Sequence, residues 1–216
     1  MKVLVTGSAK GIGNAIAKKF LSMGHEVIGF DILDSTINDK NYKHYIVDIA
    51  KSELPDLGDI EILINNAGCQ KMNIEDIEVN LIGTMRVTEK YAFHDKIKSV
   101  LNIASSSGKT GAEFPEYAAS KGGILSYTKN IALRIAKYGA TSNSLSPGGV
   151  KTDINKHIME DPKLWDAVLN EALLHKWADP EEIAEWAYFV TVINKSMTGE
   201  DILIDNGEKM NFNFIW

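Results

Sequence analysis

The apolar run Val3, Leu4 and Val5 breaks at Thr6 into Gly7, Gly11 and Gly13, and the chain then resumes with helical periodicity as far as Met23. This pattern constrains the fold more than any other feature. A strand that turns at once into a helix needs backbone conformations that side chains oppose, and glycine alone permits both the turn and a close approach to another group. The helix that follows presents unpaired amides and the positive end of its dipole, which together suit a phosphate. A second apolar run, residues 26–30, ends in Asp31, an acid placed about 20 residues past the glycines where a ribose 2′-hydroxyl would be gripped. Strand, glycine turn, helix, strand and acid together describe a dinucleotide cradle.

Further apolar runs at 45–47, 60–64, 100–104 and 202–204, with a more polar candidate at 141–145, alternate with helical patterns at 73–95, 116–138 and 180–194. The alternation predicts an α/β fold: a single doubly wound Rossmann-type domain on a mainly parallel, seven-stranded sheet. Asp179, Pro180, Glu181 and Glu182 make a strong helix start, with a cap followed by proline and acids. The connections at 32–43 and 49–59 are close to the minimum for a parallel crossover, so full helices are not expected there.

The 216 residues, 44% of them hydrophobic, suffice for one well-buried core. A net charge of -6 argues against nucleic acid and anionic membranes as partners. Cys69 is the only cysteine and no histidine stands at metal-ligand spacing from it, so neither a disulfide nor a metal site is expected. Cys69 reads as a small buried residue rather than a nucleophile, and the chain as a cytoplasmic protein with no exported or membrane-spanning segment.

Tyr117 and Lys121 are four residues apart within a helical pattern and therefore share a face. A phenol ionises near pH 10, too high for acid–base work at neutrality, and a neighbouring ammonium favours its charged form. Ser105, Ser106 and Ser107 follow an apolar run, so their hydroxyls fall at the carboxyl end of a strand, where open sheets bind ligands. Ser105 is the favoured candidate and Ser106 the alternative.

With these residues in view, the chain resembles the short-chain dehydrogenase/reductase family, in the compact subgroup marked by Thr-Gly-x-x-x-Gly-x-Gly and Tyr-x-x-x-Lys. Thr6 to Gly13, Asn65 to Gly68, Asn80 and the Pro147-Gly148 segment ending in Thr152 appear in the family's order. The resemblance implies an NAD-dependent oxidoreductase that moves hydride between nicotinamide and a secondary alcohol or ketone. It implies that Tyr117 exchanges a proton with the substrate oxygen, that Ser105 hydrogen-bonds that oxygen, that Lys121 holds the ribose and tunes the phenol, and that Asn80 orders a water in a proton relay. The implied cofactor contacts are Gly7, Ser8, Lys10, Gly11, Ile12, Gly13, Asp31, Asp48, Ile49, Asn66, Ala67, Gly68, Tyr117, Lys121, Pro147, Gly148, Val150 and Thr152. Asp31 would repel a 2′-phosphate and favours NAD over NADP, while Lys10 pulls the other way. A 3-oxoacyl-thioester reductase using NADPH and a dinucleotide sensor without turnover are the alternatives. Residues 152–177 take the place of the family's substrate lid, with His157, Met159, Leu164, Trp165 and Trp177 expected to line or cover an apolar pocket; for His157, Trp165 and Trp177 packing within the lid is favoured over contact with a substrate. A homodimer or homotetramer is expected, and the aromatic tail Phe212 to Trp216 either packs back over its own subunit near the site or, the favoured reading, docks on a neighbouring subunit.

Overall fold

The computed structural model describes residues 1–112 and 114–211. Seven parallel strands form one sheet: β1 (Lys2–Thr6), β2 (Glu26–Asp31), β3 (Tyr42–Ile46), β4 (Ile62–Asn65), β5 (Ser99–Ile103), β6 (Thr141–Pro147) and β7 (Asp201–Ile204). Their spatial order is β3-β2-β1-β4-β5-β6-β7, so the direction of winding reverses between β1 and β4. Such a switch point opens a crevice at the carboxyl edge of the sheet. The central strands are apolar without alternation because both faces are covered.

Helices α1 (Gly11–Ser22) and α8 (Pro180–Tyr188) pack on each other over one face, with Phe20, Ile16 and Ile183 in that core. The opposite face carries α3 (Thr84–Tyr91) and the long α5 (Pro115–Ile135), whose Ile131 and Ile135 meet Val87, Leu63 and Val100. Among the described residues no helix is long and apolar enough to cross a membrane.

The expected elements are present with shifted boundaries. The third strand begins at Tyr42 rather than residue 45, because it is an edge strand whose half-exposed, mixed-polarity residues mask its start. The pattern at 73–95 resolves into α2 (Glu75–Ile77), a π-helical turn (Glu78–Gly83) and α3. A Cβ on Gly83 would lie 2.9 Å from Ile49 Cγ1, so this wide turn is pressed against the loop after β3. As expected, neither crossover between β2 and β4 contains a helix. The second is held from α3 instead: Arg86 donates to the Ile49 and Ser52 carbonyls, Lys90 to that of Leu54 and Tyr91 to that of Pro55. Past β6, a short 3-10 turn (Asp153–Asn155), α6 (Lys156–Met159) and α7 (Pro162–Glu171) fill the expected lid.

Candidate active site

A cleft of about 590 Å³ runs along the carboxyl edge of the sheet, from Asp31 and Asp48 past the glycine turn to Ser105, Tyr117 and Lys121. Gly7 and Gly11 adopt φ of +67° and +53°, which side chains oppose, and a Cβ on Gly7 would sit 2.8 Å from Ala67 Cα. Asn66 closes the other side by donating to the Thr6 and Gly7 carbonyls, while the Thr6 hydroxyl accepts from the Asn66 and Ala67 amides. The first turn of α1 has no side-chain cap and no acid, in contrast to α7, whose start is capped by Asp161. Its free amides and dipole therefore face the cleft with their affinity for an anion unspent.

Asp31 lies at the end of β2 and accepts from the Ala9 and Leu33 amides at 2.9 and 3.0 Å. These bonds hold a carboxylate on the cleft wall beside the glycine turn. Lys10, across the mouth, is 3.6 Å from Asp153, so part of its charge is answered by the lid.

At the other end, α5 presents Tyr117 and Lys121 one turn apart, the ammonium 5.7 Å from the phenol ring centre. Lys121 is 5% exposed and donates to the Ile103 carbonyl at 2.8 Å. Burial lowers its pKa to about 8, partly countered by the negative charge of Asp76. Gly108 lets α4 (Ser107–Thr110) reach α5 here, since a Cβ on it would fall 2.7 Å from the Lys121 carbonyl carbon. Ser105 follows β5, and its Oγ accepts from the Ser107 amide at 3.2 Å, which leaves the hydroxyl proton to donate elsewhere. Ser105 lines the cleft with Tyr117 and Lys121, whereas Ser106 is not among the lining residues.

Most of the residues singled out in the sequence meet at this cleft: Gly7, Lys10, Gly11, Ile12, Asp31, Asp48, Ile49, Asn66, Ala67 and Gly68 on the cradle side, then Ser105, Tyr117, Lys121, Pro147, Gly148, Val150 and Thr152. Three lie behind its wall. Ser8 is fully buried and its hydroxyl is 3.0 Å from that of Tyr42, so the side chain serves the packing of β2 and β3. Gly13 is packed under Gly7, where a Cβ would come 2.0 Å from the Gly7 carbonyl oxygen. Asn80 is 1% exposed and its amide is engaged by Cys69 N–H, Cys69 C=O and Ser120 Oγ. It therefore clamps the loop after Gly68 rather than presenting its side chain to the cleft.

The lid expectation is corrected in part. Thr152, Asp153, Ile154 and Asn155 line the cleft, but His157, Met159, Leu164, Trp165 and Trp177 do not. The two tryptophans pack on each other edge to face at 5.1 Å, and Trp177 sits so close to Gly149 that a Cβ there would meet it at 2.2 Å. They pack within the lid, the reading favoured for this pair from the sequence, and do not line the cleft. Phe212 to Trp216 lie outside the described residues, and Asn211, which precedes them, donates to the Asn170 and Glu171 carbonyls at the end of α7. Sequence reasoning missed Phe30 and Val47, apolar lining residues that carry no motif, and missed Asp76 as a group acting on Lys121.

A family model described as short chain dehydrogenase matches residues 1–163. The chain belongs to the short-chain dehydrogenase family. Curated relatives of this dehydrogenase include the 3-oxoacyl-acyl-carrier-protein reductases FabG of Vibrio harveyi, 29% identical with 96% of each chain covered, and of Thermotoga maritima, 30% identical with 94% of this chain and 96% of that protein covered. Among solved structures, 4-hydroxyisoleucine dehydrogenase complexed with NADH superposes with a TM-score of 0.88 at 26% identity, covering 98% of this chain and 99% of that one. The ligand-free aldohexose dehydrogenase of Thermoplasma acidophilum gives 0.86 at 25% identity, covering 100% and 96%. The dehydrogenase is thus an oxidoreductase that uses a nicotinamide cofactor and acts on CH–OH and C=O groups.

Proposed function

We propose that this enzyme interconverts a small secondary alcohol and its ketone with NAD as cofactor, using Tyr117 as the proton carrier. The observation that carries the reading is a buried ammonium, Lys121, one helical turn from a phenol on the same cleft wall as Ser105. The residues present fit a dinucleotide: Gly7 and Gly11 leave a cradle without Cβ atoms, the start of α1 is uncapped, and Asp31 is fixed where ribose hydroxyls would need an acceptor. When bound, the nicotinamide supplies or takes up the hydride.

The protein groups do the rest. Ser105 donates to the substrate oxygen and orients it towards Tyr117. Tyr117 gives its hydroxyl proton to that oxygen during reduction and takes the proton back during oxidation. Lys121 favours the phenolate through its charge and donates to the ribose. Asn80, through Cys69, holds the wall that faces Lys121. We read the exposed apolar residues Ile82, Met85 and Leu133 on one face, and Trp186, Phe189 and Ile193 on the other, as surfaces that pair copies of the chain into a dimer or tetramer.

The FabG relatives favour a second reading, a 3-oxoacyl-thioester reductase. Asp31 opposes NADPH there, because a 2′-phosphate would meet a fixed carboxylate. The test is NADH against NADPH binding by fluorescence, followed by a screen of alcohols, ketones and 3-oxoacyl thioesters at the nicotinamide absorbance. Tighter NADH binding and turnover of a simple alcohol or ketone are expected, with turnover lost in Tyr117→Phe and NADH affinity kept. NADPH preference with thioester turnover would select the second reading.

A further inference from the structure

Asp76 is fully buried on α2, yet among the described residues no cation is hydrogen-bonded to it. Its Oδ1 accepts from the Lys71 amide at 2.7 Å and from the Cys69 thiol at 3.4 Å, and its Oδ2 accepts from the Met72 amide at 3.1 Å. The loop it gathers is short and bent, with Met72 at φ +58°, a left-handed conformation that a methionine adopts at a cost. Cys69, at the near end of that loop, lines the cleft and is clamped by Asn80. Gly68 just before it is so close to Lys121 that a Cβ there would be 3.6 Å from Nζ. A buried carboxylate and a buried ammonium thus stand at the same loop, the first bonded to Cys69, Lys71 and Met72 and the second beside Gly68.

We propose that Asp76 is a positioning residue for Lys121: its carboxylate ties residues 69–72 over the ammonium and supplies the negative charge that the buried ammonium faces. The titratable groups around Lys121 are Tyr117 on its own helix and Cys69 and Asp76 across the loop, while β5 contributes the Ile103 carbonyl. Lys71 and Glu75 flank Asp76 and act on Cys69. Burial, followed by the hydrogen bond to Asp76, pushes the Cys69 thiol up to about 12, so it stays protonated and remains a donor to the carboxylate. The negative charge of this cluster therefore resides on Asp76, and it works against the burial that lowers Lys121.

The inference rests on the assignment of Lys121 to ribose and phenol, but its test reads the lysine in the ligand-free protein. The rate of acetylation of Lys121 by acetic anhydride, followed by peptide mass spectrometry across pH, reports the titration directly. In Asp76→Asn the amide oxygen can keep the bonds made by Oδ1 while the bond from the Met72 amide and the charge are lost, so the midpoint should move to lower pH by about half a pH unit or more. Asp76→Ser tests the same loss with a smaller side chain. Asp76→Glu, with charge retained, should keep the midpoint closer to that of the wild type even if its melting temperature falls. NADH affinity, read by fluorescence, should begin to fail at a correspondingly lower pH in the neutral variants. In the wild type, the midpoint should move little between low and high salt, since a buried pair is poorly screened. An unchanged midpoint in a folded neutral variant, or a strong salt dependence in the wild type, would overturn the proposal; if NADH fails to bind while the Lys121 midpoint behaves as described, the fault lies with the functional reading instead.

Discussion

Replacing Gly13 by alanine tests whether the glycine turn is a packing solution or merely a flexible link. The added Cβ would fall 2.0 Å from the Gly7 carbonyl oxygen and 2.4 Å from Asn66 Nδ2, both held by the hydrogen bonds that Asn66 gives to Thr6 and Gly7. Neither neighbour is the free end of a flexible side chain, so α1 must lift from β1. Overpacking of a filled site costs about 1–3 kcal/mol, and each weakened hydrogen bond about 0.5–1.5 kcal/mol. Alanine's better helix propensity returns roughly 1 kcal/mol. A net loss near 3 kcal/mol lowers the melting temperature of a chain this size by roughly 6–12 °C. NADH affinity should fall with it, because the amides at the start of α1 move. Gly24→Ala is the control: at φ +79° with nothing within 4 Å of its Cβ, it costs backbone strain alone and should leave NADH binding intact. Thermal melts and NADH fluorescence titrations of both variants decide the matter. A Gly13→Ala protein that melts within about 2 °C of the wild type and binds NADH equally well would refute the reasoning.

Two further outcomes follow from the same structure. Asp31→Ser removes the fixed carboxylate and its bonds to Ala9 and Leu33, so the NADH-to-NADPH affinity ratio should shrink by about tenfold or more, roughly 1.4 kcal/mol; an unchanged ratio would assign the discrimination elsewhere. His25 is buried against Phe20 and Tyr188 with the N-terminal ammonium 3.3 Å away, and burial followed by that charge holds its pKa below the ordinary histidine value. The neutral ring's contribution is therefore intact above about pH 6.5 and is lost as pH falls through the lowered folded-state value, because the unfolded chain takes up the proton first. Melting curves between about pH 7 and 5 should show a slope that is smaller in His25→Gln, and equal slopes would exclude the effect.

Why some of this was legible in the sequence and some was not has a physical basis. Gly7, Gly11, Tyr117 and Lys121 announce themselves because their roles fix the residue type and the spacing within one local element. The doubly wound parallel sheet was legible for a similar reason: strands that alternate with helices must be joined by crossovers. Asn80 and Ser8 were recognised as positions, but the direction of their side chains depends on Cys69, Ser120 and Tyr42, which are distant in sequence. Trp165 and Trp177 were legible as lid packing, but the contact of Trp177 with Gly149 was not, because it joins separate segments of the chain. Asp76 gave no signal, since an aspartate at a helix start usually faces water and its burial comes from the brevity of the loop before it.

The loop between β3 and β4 illustrates how a layer of a fold can be removed. Arg86, Lys90 and Tyr91 project from α3 and satisfy four carbonyl groups of a segment that has no helix of its own to do so. Three side chains thereby stand in for a missing row of backbone bonds, and the rim that carries Asp48 and Ile49 inherits its shape from a helix on the far side of the switch point. A substitution at Arg86, outside every recognised motif, would loosen the Asp48 and Ile49 end of the cleft before it disturbed Tyr117 and Lys121.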